Sequence, residues 1–360
     1  MNPDAFKILS GTRAYGGTWY SMKVPSPNFA NIPKFLNGTA FQGNAVAVGT
    51  NGNSVGGCTI AVINKNNPFT WTVVPTISTD TGVPNVSNNY ALNNVVYDSG
   101  TGKCLLIGKN CYVILALGYP DQITVSLYKT SVAMPAADPL SLNAVQYLDG
   151  KMYCVGSAGA IYTSYATSFS INDNGGYFWT KRTSNTTDNL VDIYVRDTSI
   201  SFAVGNKSFL RSDDGGQTWT NFYASKIQVL TDPSGYGIQG LNKIFYCGGS
   251  NWLLAATSGS GNGGALLLSR NNCDSWVFLA DFYTKNSYHS YGKIKNIFQL
   301  YGLVYVTTEA GMLFVSETSN LVTWQRINNI YANFYKDCVF RDLENGKIFS
   351  LSNNSYSVSM

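Results

Sequence analysis

The residues of this 360-residue chain that could serve as nucleophile, base or metal ligand are few and scattered. His289 is the sole histidine, in Tyr288-His289-Ser290-Tyr291. A Ser-His-Asp triad is defined by geometry and not by spacing, so His289 leaves that chemistry open. No nucleophile elbow accompanies it, and an exposed loop histidine is the simpler reading. Glutamate occurs only at Glu309, Glu317 and Glu344. The cysteines, Cys58, Cys104, Cys111, Cys154, Cys247, Cys273 and Cys338, show neither zinc spacing nor a disulfide framework; several lie in apolar runs and are expected as buried thiols. The glycine-rich run 259–264 lacks a phosphate-loop pattern. No catalytic set, metal or cofactor is expected.

The elements that must position any site follow from composition and repetition. Charged residues make up 12%, and 24 Lys and Arg against 20 Asp and Glu leave a net charge of +4. The cations are dispersed, whereas a nucleic-acid partner predicts a basic stripe, so none is expected. No apolar run reaches transmembrane length, and the first residues lack a basic segment followed by an apolar one. Membrane insertion and secretion are therefore not expected, and synthesis in a reducing cytoplasm is the default. No segment has the pattern of a long helix.

Six of the seven tryptophans share one context, a short strand just after a polar turn. The sharpest copy is Ser212-Asp213-Asp214-Gly215-Gly216-Gln217-Thr218-Trp219. Asp214 can accept hydrogen bonds from turn N–H groups, Gly216 can take positive φ, and Thr218 with Trp219 suits the start of a half-buried strand. The segment 172–179 aligns with it through Asn172, Asn174, Gly176 and Trp179, and the segment 269–276 keeps Ser269, Asn271 and Trp276. Weaker copies end at Trp71 and Trp324.

This S-x-D-x-G-x-T-W pattern resembles the Asp-box, or BNR, repeat, and the resemblance implies a β-propeller. Around Trp219 one unit is legible as four strands, Leu190–Val195, Ser201–Gly205, Ser208–Ser212 and 218–222. The second strand recurs as apolar runs at 45–49, 104–108, 152–156, 202–205, 252–256, 303–306 and 347–351. The outer-strand aromatics Trp19, Trp71, Tyr128, Trp179, Trp219, Trp276 and Trp324 recur about every 51 residues, a propeller period. The expected fold is all-β, a seven-bladed propeller in one domain spanning 1–360. The C-terminal unit lacks a fourth strand, which the N-terminal strand around Trp19 is expected to supply. A six-bladed ring with one unit misassigned is the alternative.

Asp-box propellers include sialidases. The resemblance to those enzymes implies three arginines on the substrate carboxylate, a tyrosine nucleophile assisted by a glutamate, and an F/Y-R-I-P motif. Here the nearest string is Asn31-Ile32-Pro33-Lys34, without an arginine. Arg196 and Arg341 sit at equivalent strand ends, and Arg211 and Arg270 lie beside box turns, as positions repeated by structure would. The box aspartates are expected to form turns.

The connections between units are long at 23–41, 75–92, 129–142, 223–240 and 281–293, as are the loops 50–57 and 258–265. Both kinds of connection open on one propeller face. That face is expected to be elaborated, with the box turns on the plain opposite face. Tyr236, Tyr283, Tyr288, His289 and Tyr291 are its candidate ligand-binding residues, since tyrosine offers an apolar face and a polar tip to sugars and proteins. The expected function is a non-enzymatic binding or structural propeller. Its specific form is a bacteriophage virion component (tail, adhesin or capsid-associated) that engages other virion subunits or a surface glycan. An oligomer within a larger assembly is compatible with this. The alternatives are a glycoside hydrolase or lyase, and an intracellular assembly factor.

Overall fold

The computed structural model describes residues 7–9, 19–22, 34–41, 44–50, 58–64, 67–73, 92–99, 102–108, 111–117, 123–129, 141–165, 178–230, 237–258, 263–281, 292–317, 319, 321–327, 338–341, 348–352 and 355–359. Their strands form antiparallel sheets that follow one another along the chain. The first sheet is Lys34–Phe41, Asn44–Thr50, Cys58–Asn64 and Asn67–Val73; the second is Leu92–Asp98, Lys103–Gly108, Cys111–Leu117 and Ile123–Lys129. The third is Leu142–Leu148, Lys151–Gly156, Ile161–Tyr165 and Phe178–Arg182; the fourth is Leu190–Val195, Ser201–Gly205, Ser208–Ser212 and Thr220–Asn221. The fifth is Gly240–Gly248, Asn251–Ser258, Gly263–Ser269 and Val277–Asp281. The sixth is Ile294–Leu300, Leu303–Thr308, Leu313–Glu317 and Thr323–Ile327, and the seventh is Cys338–Arg341, Ile348–Ser352, Ser355–Ser359 and Trp19–Met22. The first strand of each sheet contacts the first strand of the next, and that of the seventh contacts that of the first.

The strand order corrects the expected seven-bladed propeller of equivalent four-stranded blades. The sixth sheet has five strands, because Lys7–Leu9 adds in parallel to the outer edge of Thr323–Ile327. An outer strand leaves a row of N–H and C=O groups unpaired, and an extended apolar segment can satisfy them. The N-terminal segment thus serves two sheets, since Trp19–Met22 pairs antiparallel with Ser355–Ser359 in the seventh. Two boundaries also move. Lys34–Phe41 is itself an inner strand, so the connection expected to run to Phe41 stops before Lys34. In the fourth sheet the outer strand is only Thr220–Asn221, because the N–H and hydroxyl of Thr218 are bonded to Asp214.

Apolar side chains fill the seams between sheets. Between the fourth and fifth, Phe202, Phe209, Trp252 and Trp276 are buried; Phe202 meets Trp252 edge-on at 4.7 Å, and Phe209 meets Trp276 at 5.6 Å. Such edge-to-face pairs stabilise beyond their buried area by about 0.5–1.5 kcal/mol each. The glycine closing several second strands has a packing reason. A Cβ at Gly156 would lie 2.2 Å from the Ser141 carbonyl oxygen, and at Gly205 2.5 Å from that of Asn189. Only glycine lets the segment entering each inner strand approach so closely.

Six inner strands carry a β-bulge at one equivalent place: between Phe35 and Asn37, Leu92 and Asn94, Leu142 and Ala144, Leu190 and Asp192, Leu241 and Lys243, and Ile294 and Asn296. Polar side chains at and beside the bulge stitch one inner strand to the next. Asn93 donates to the Leu142 carbonyl at 2.8 Å, and Asn143 donates to that of Leu190 at 2.7 Å. Asp192 accepts the Ile244 N–H at 3.0 Å and pairs with Lys243 at 2.9 Å. These side chains satisfy inner-strand backbone groups that have no strand neighbour on that side.

Candidate functional site

The residues 212–219 form the turn anticipated from their types. The Ser212 hydroxyl donates to Asp214 Oδ1 at 2.8 Å and accepts the Gly216 N–H at 2.8 Å. Asp214 also accepts the N–H groups of Gln217 and Thr218 and the Thr218 hydroxyl, the last at 2.6 Å. The Thr218 hydroxyl and N–H, followed by Ser212 and Gln217, hold the Asp214 carboxyl well below the usual carboxylate range. Trp219 is buried and its indole donates to the Gly216 carbonyl at 3.2 Å. A Cβ on Gly216, at φ +81°, would lie 2.9 Å from the Tyr153 ring of the third sheet. The buried Lys151 ammonium, also from that sheet, donates to the Gly215 carbonyl. The turn is thereby a joint between sheets.

The copy at 269–276 uses an amide for the carboxylate. Asn271 Oδ1 accepts the Ser269 hydroxyl at 2.9 Å and the Ser275 N–H at 3.0 Å, while Asn271 Nδ2 donates to the Ser275 hydroxyl. Trp276 is buried beneath it. In the third copy, Trp179 is buried, whereas Asn172, Asn174 and Gly176 lie outside the described residues. Tyr236, Tyr283, Tyr288, His289 and Tyr291 lie outside them too.

A different place emerges where the third and fourth sheets meet. An open concavity of ≈ 870 Å³ is lined by Ala158, Gly159 and residues 181–187. Its wall is built from two connections. The turn Ser157–Gly159 joins second and third strands, and Gly159 N–H donates to the Asp188 carbonyl at 2.6 Å. Gly159 has φ +69°, and a Cβ there would sit 1.9 Å from the Thr186 carbonyl oxygen. The segment leaving Phe178–Arg182 runs beside the turn of the fourth sheet: Thr183 bridges Thr218 in parallel, and Asn185 Nδ2 donates to the Trp219 carbonyl at 3.2 Å. One connection thus touches both the turn at Gly159 and the Trp219 strand.

Two non-glycine residues in this wall have left-handed backbone, Ala158 at φ 53° and Asn185 at φ 57°. Asparagine tolerates that conformation; alanine adopts it uncommonly, and here surrounding contacts hold it. Hydrogen bonds fix the rest: Thr186 Oγ1 lies 3.0 Å from Ser208 Oγ, and Asp188 accepts the Ser208 hydroxyl and the Lys207 N–H, both at 2.8 Å. Arg182 Nε donates to Thr163 at 2.8 Å, which orients a half-buried guanidinium in the lining beside the exposed Lys181. The Arg182 guanidinium, with the threonine hydroxyls and one amide of this lining, suits carboxylate and peptide groups. The sequence signal for this site was the hydroxyl-rich run Thr183-Ser184-Asn185-Thr186-Thr187 directly after Lys181 and Arg182, whose role depends on a contact with a turn about 25 residues earlier.

Other arginines have partners outside this lining, and Arg211 reaches across to Asp274 of the fifth sheet at 3.7 Å. Arg196 pairs with Asp197 at 2.7 Å, Arg211 with Asp213 at 2.8 Å, and Arg270 donates to Asn251 at 3.3 Å. Burial pushes the thiols of Cys104, Cys154 and Cys273 up, and that of Cys247 up to about 12. Among the described residues no group of three His, Cys, Asp or Glu side chains is placed to hold a metal ion.

No family model and no curated protein sequence matches the chain. Solved structures do. A structure of YCF48 bound to D1 peptide is 15% identical with a TM-score of 0.61, covering 99% of this chain and 98% of that one. YCF48 from Cyanidioschyzon merolae is 17% identical with a TM-score of 0.60, over 94% of this chain and 98% of that one. The WD40 propeller domain of Doa1 is 12% identical with a TM-score of 0.56, over 91% and 93%. The chain folds as a β-propeller. At these identities the likeness concerns the propeller fold alone.

Proposed function

We propose that this propeller is a non-catalytic protein-binding module, and that the seam between its third and fourth sheets is a docking site for a carboxylate-bearing segment of a protein partner. The observation that carries the reading is the concavity itself. Arg182, held by its bond to Thr163, lies in the lining of a hydroxyl-rich wall that is ordered by its own hydrogen bonds, with Lys181 next to it along the strand. A wall already ordered by its own hydrogen bonds loses little conformational entropy on binding. The YCF48 structure bound to a peptide has a like fold and lends support to a propeller in this role.

The finer form of the proposal is a bacteriophage virion component, with other virion subunits or a surface glycan as partner. What supports it is a composition poor in charge and rich in Asn, Ser, Tyr and Gly. Mass spectrometry of purified virions tests it, and absence of the chain from them sinks the virion form while leaving the docking site to be judged separately. For the docking site, the test is cross-linking from Lys181: a partner protein joined there supports it, and partner cross-links confined to other sheets count against it.

A further inference from the structure

Two outer edges of this propeller accept a parallel neighbour at one equivalent position, beside the buried tryptophan that follows the polar turn. In the sixth sheet Lys7, Ile8 and Leu9 lie opposite Thr323, Trp324 and Gln325. In the fourth, Thr183 bridges Thr218 in parallel and Asn185 reaches the Trp219 carbonyl. The edge beside these tryptophans is thus a repeated strand-accepting slot.

The fifth sheet repeats the slot as Ser275-Trp276-Val277. The segment that would fill it from the preceding sheet turns into the short helical turn Tyr223–Ile227 instead. That turn packs Tyr223 and Ile227 into the core containing Trp276 and sends Lys226 to the Cys273 carbonyl at 3.1 Å, just short of the slot. Among the described residues no strand pairs with the outer edge of 275–277. Ser275 is exposed, and Val277 is 41% exposed. The strand itself, Val277–Asp281, carries no charge before its last residue and no proline. Other outer strands hold such guards: Pro68 in the first sheet, Lys181 and Arg182 in the third. An unguarded apolar edge is a template for strand addition.

We infer that residues 275–277 receive an extended segment of a partner protein, added parallel to the outer strand by backbone hydrogen bonds. The occupant follows from the filled slots. It runs parallel, and in the sixth sheet the residues in register with Trp324 and Gln325 are Ile8 and Leu9. A second copy joining edge to edge through a two-fold axis perpendicular to the sheet would place identical strands antiparallel, which is not the geometry of either filled slot. This inference goes beyond the docking site at the third and fourth sheets and is independent of it, because its variant leaves Lys181 and Arg182 intact.

The probe is a synthetic peptide of residues 5–11, Ala-Phe-Lys-Ile-Leu-Ser-Gly, added to the full-length protein, with hydrogen exchange read at residues 275–277. The expected result is saturable protection there. Val277→Lys, an exposed change, weakens it at least about tenfold, while Val229→Lys, at a residue 69% exposed elsewhere, leaves it unchanged. Absence of protection at about 1 mM peptide overturns the inference. So does protection confined to 323–325, which signals exchange with the chain's own Lys7–Leu9. Self-association that Val277→Lys abolishes, without protection by peptide, gives the edge to a second copy and overturns it as well.

Discussion

The stitch from Asp192 to the fifth sheet gives a perturbation whose size follows from its contacts. Asp192 is 7% exposed; one carboxylate oxygen accepts the Ile244 N–H at 3.0 Å and the other pairs with Lys243 at 2.9 Å. Asp192→Ala removes a charge-assisted bond to a buried N–H, about 1.5–3 kcal/mol, and leaves the Lys243 ammonium, partly open to solvent, without its partner at a cost of about 1 kcal/mol or less. The expected loss is about 3 kcal/mol in urea unfolding followed by tryptophan fluorescence. Asp192→Asn keeps an acceptor for Ile244 and loses only the ion pair, so it is expected to cost about 1 kcal/mol. Amide exchange at Ile244 should accelerate in the alanine variant and far less in the asparagine variant. A cost for Asp192→Ala below about 0.5 kcal/mol would refute the view that these side chains secure the inner strands, as would an Ile244 amide that stays equally protected.

Two further outcomes concern the polar turns and the concavity wall. Because hydrogen bonds led by those from Thr218 depress the folded Asp214 pKa, its contribution is present above the unfolded value of about 3.9 and fades as pH falls through the folded one. Asp214→Asn, which imitates Asn271, should therefore cost about 1 kcal/mol near neutral pH after allowance for solvent, and the difference should begin to narrow as pH falls below about 4; a gap independent of pH would contradict this. Gly159→Ala places a methyl against the Thr186 carbonyl at positive φ, and should lower stability by about 2 kcal/mol or more and release the Gly159–Asp188 hydrogen bond. A variant as stable as the parent, with that amide still protected, would show that the turn is not held as described.

Much of the repeat was legible because it is written locally. The runs Leu190–Val195, Ser201–Gly205 and Ser208–Ser212 have the boundaries that apolar patterning and turn residues imply. The turn at 212–219 was legible for the same reason: the bonds of its Ser212, Asp214 and Trp219 side chains to one another and to the turn span four residues or fewer. The stitches were not, because Asn143 bonds a carbonyl 47 residues away and Asp192 an N–H 52 residues away, and an isolated Asn or Asp in a strand carries no mark of such a partner. The fifth strand of the sixth sheet was hidden similarly, since Lys7-Ile8-Leu9 is too short to show a period. Nor could the concavity be foreseen from loop length; its wall is a short connection, whereas the long loops drew attention to Tyr236, Tyr283, Tyr288, His289 and Tyr291.

The docking role of the seam is tested most directly by affinity capture with the parent protein and the double variant Lys181→Glu/Arg182→Glu side by side. Bound proteins are quantified by mass spectrometry, and equal folding of the two baits is verified by thermal unfolding. Lys181 is exposed, whereas Arg182→Glu gives up the bond to Thr163, so the comparison is made between baits shown to be equally folded; reversing two charges against an acidic partner segment should reduce the captured protein about tenfold or more, with the parent complex weakening as salt rises. A partner retained equally by both baits, and indifferent to salt, would contradict the account.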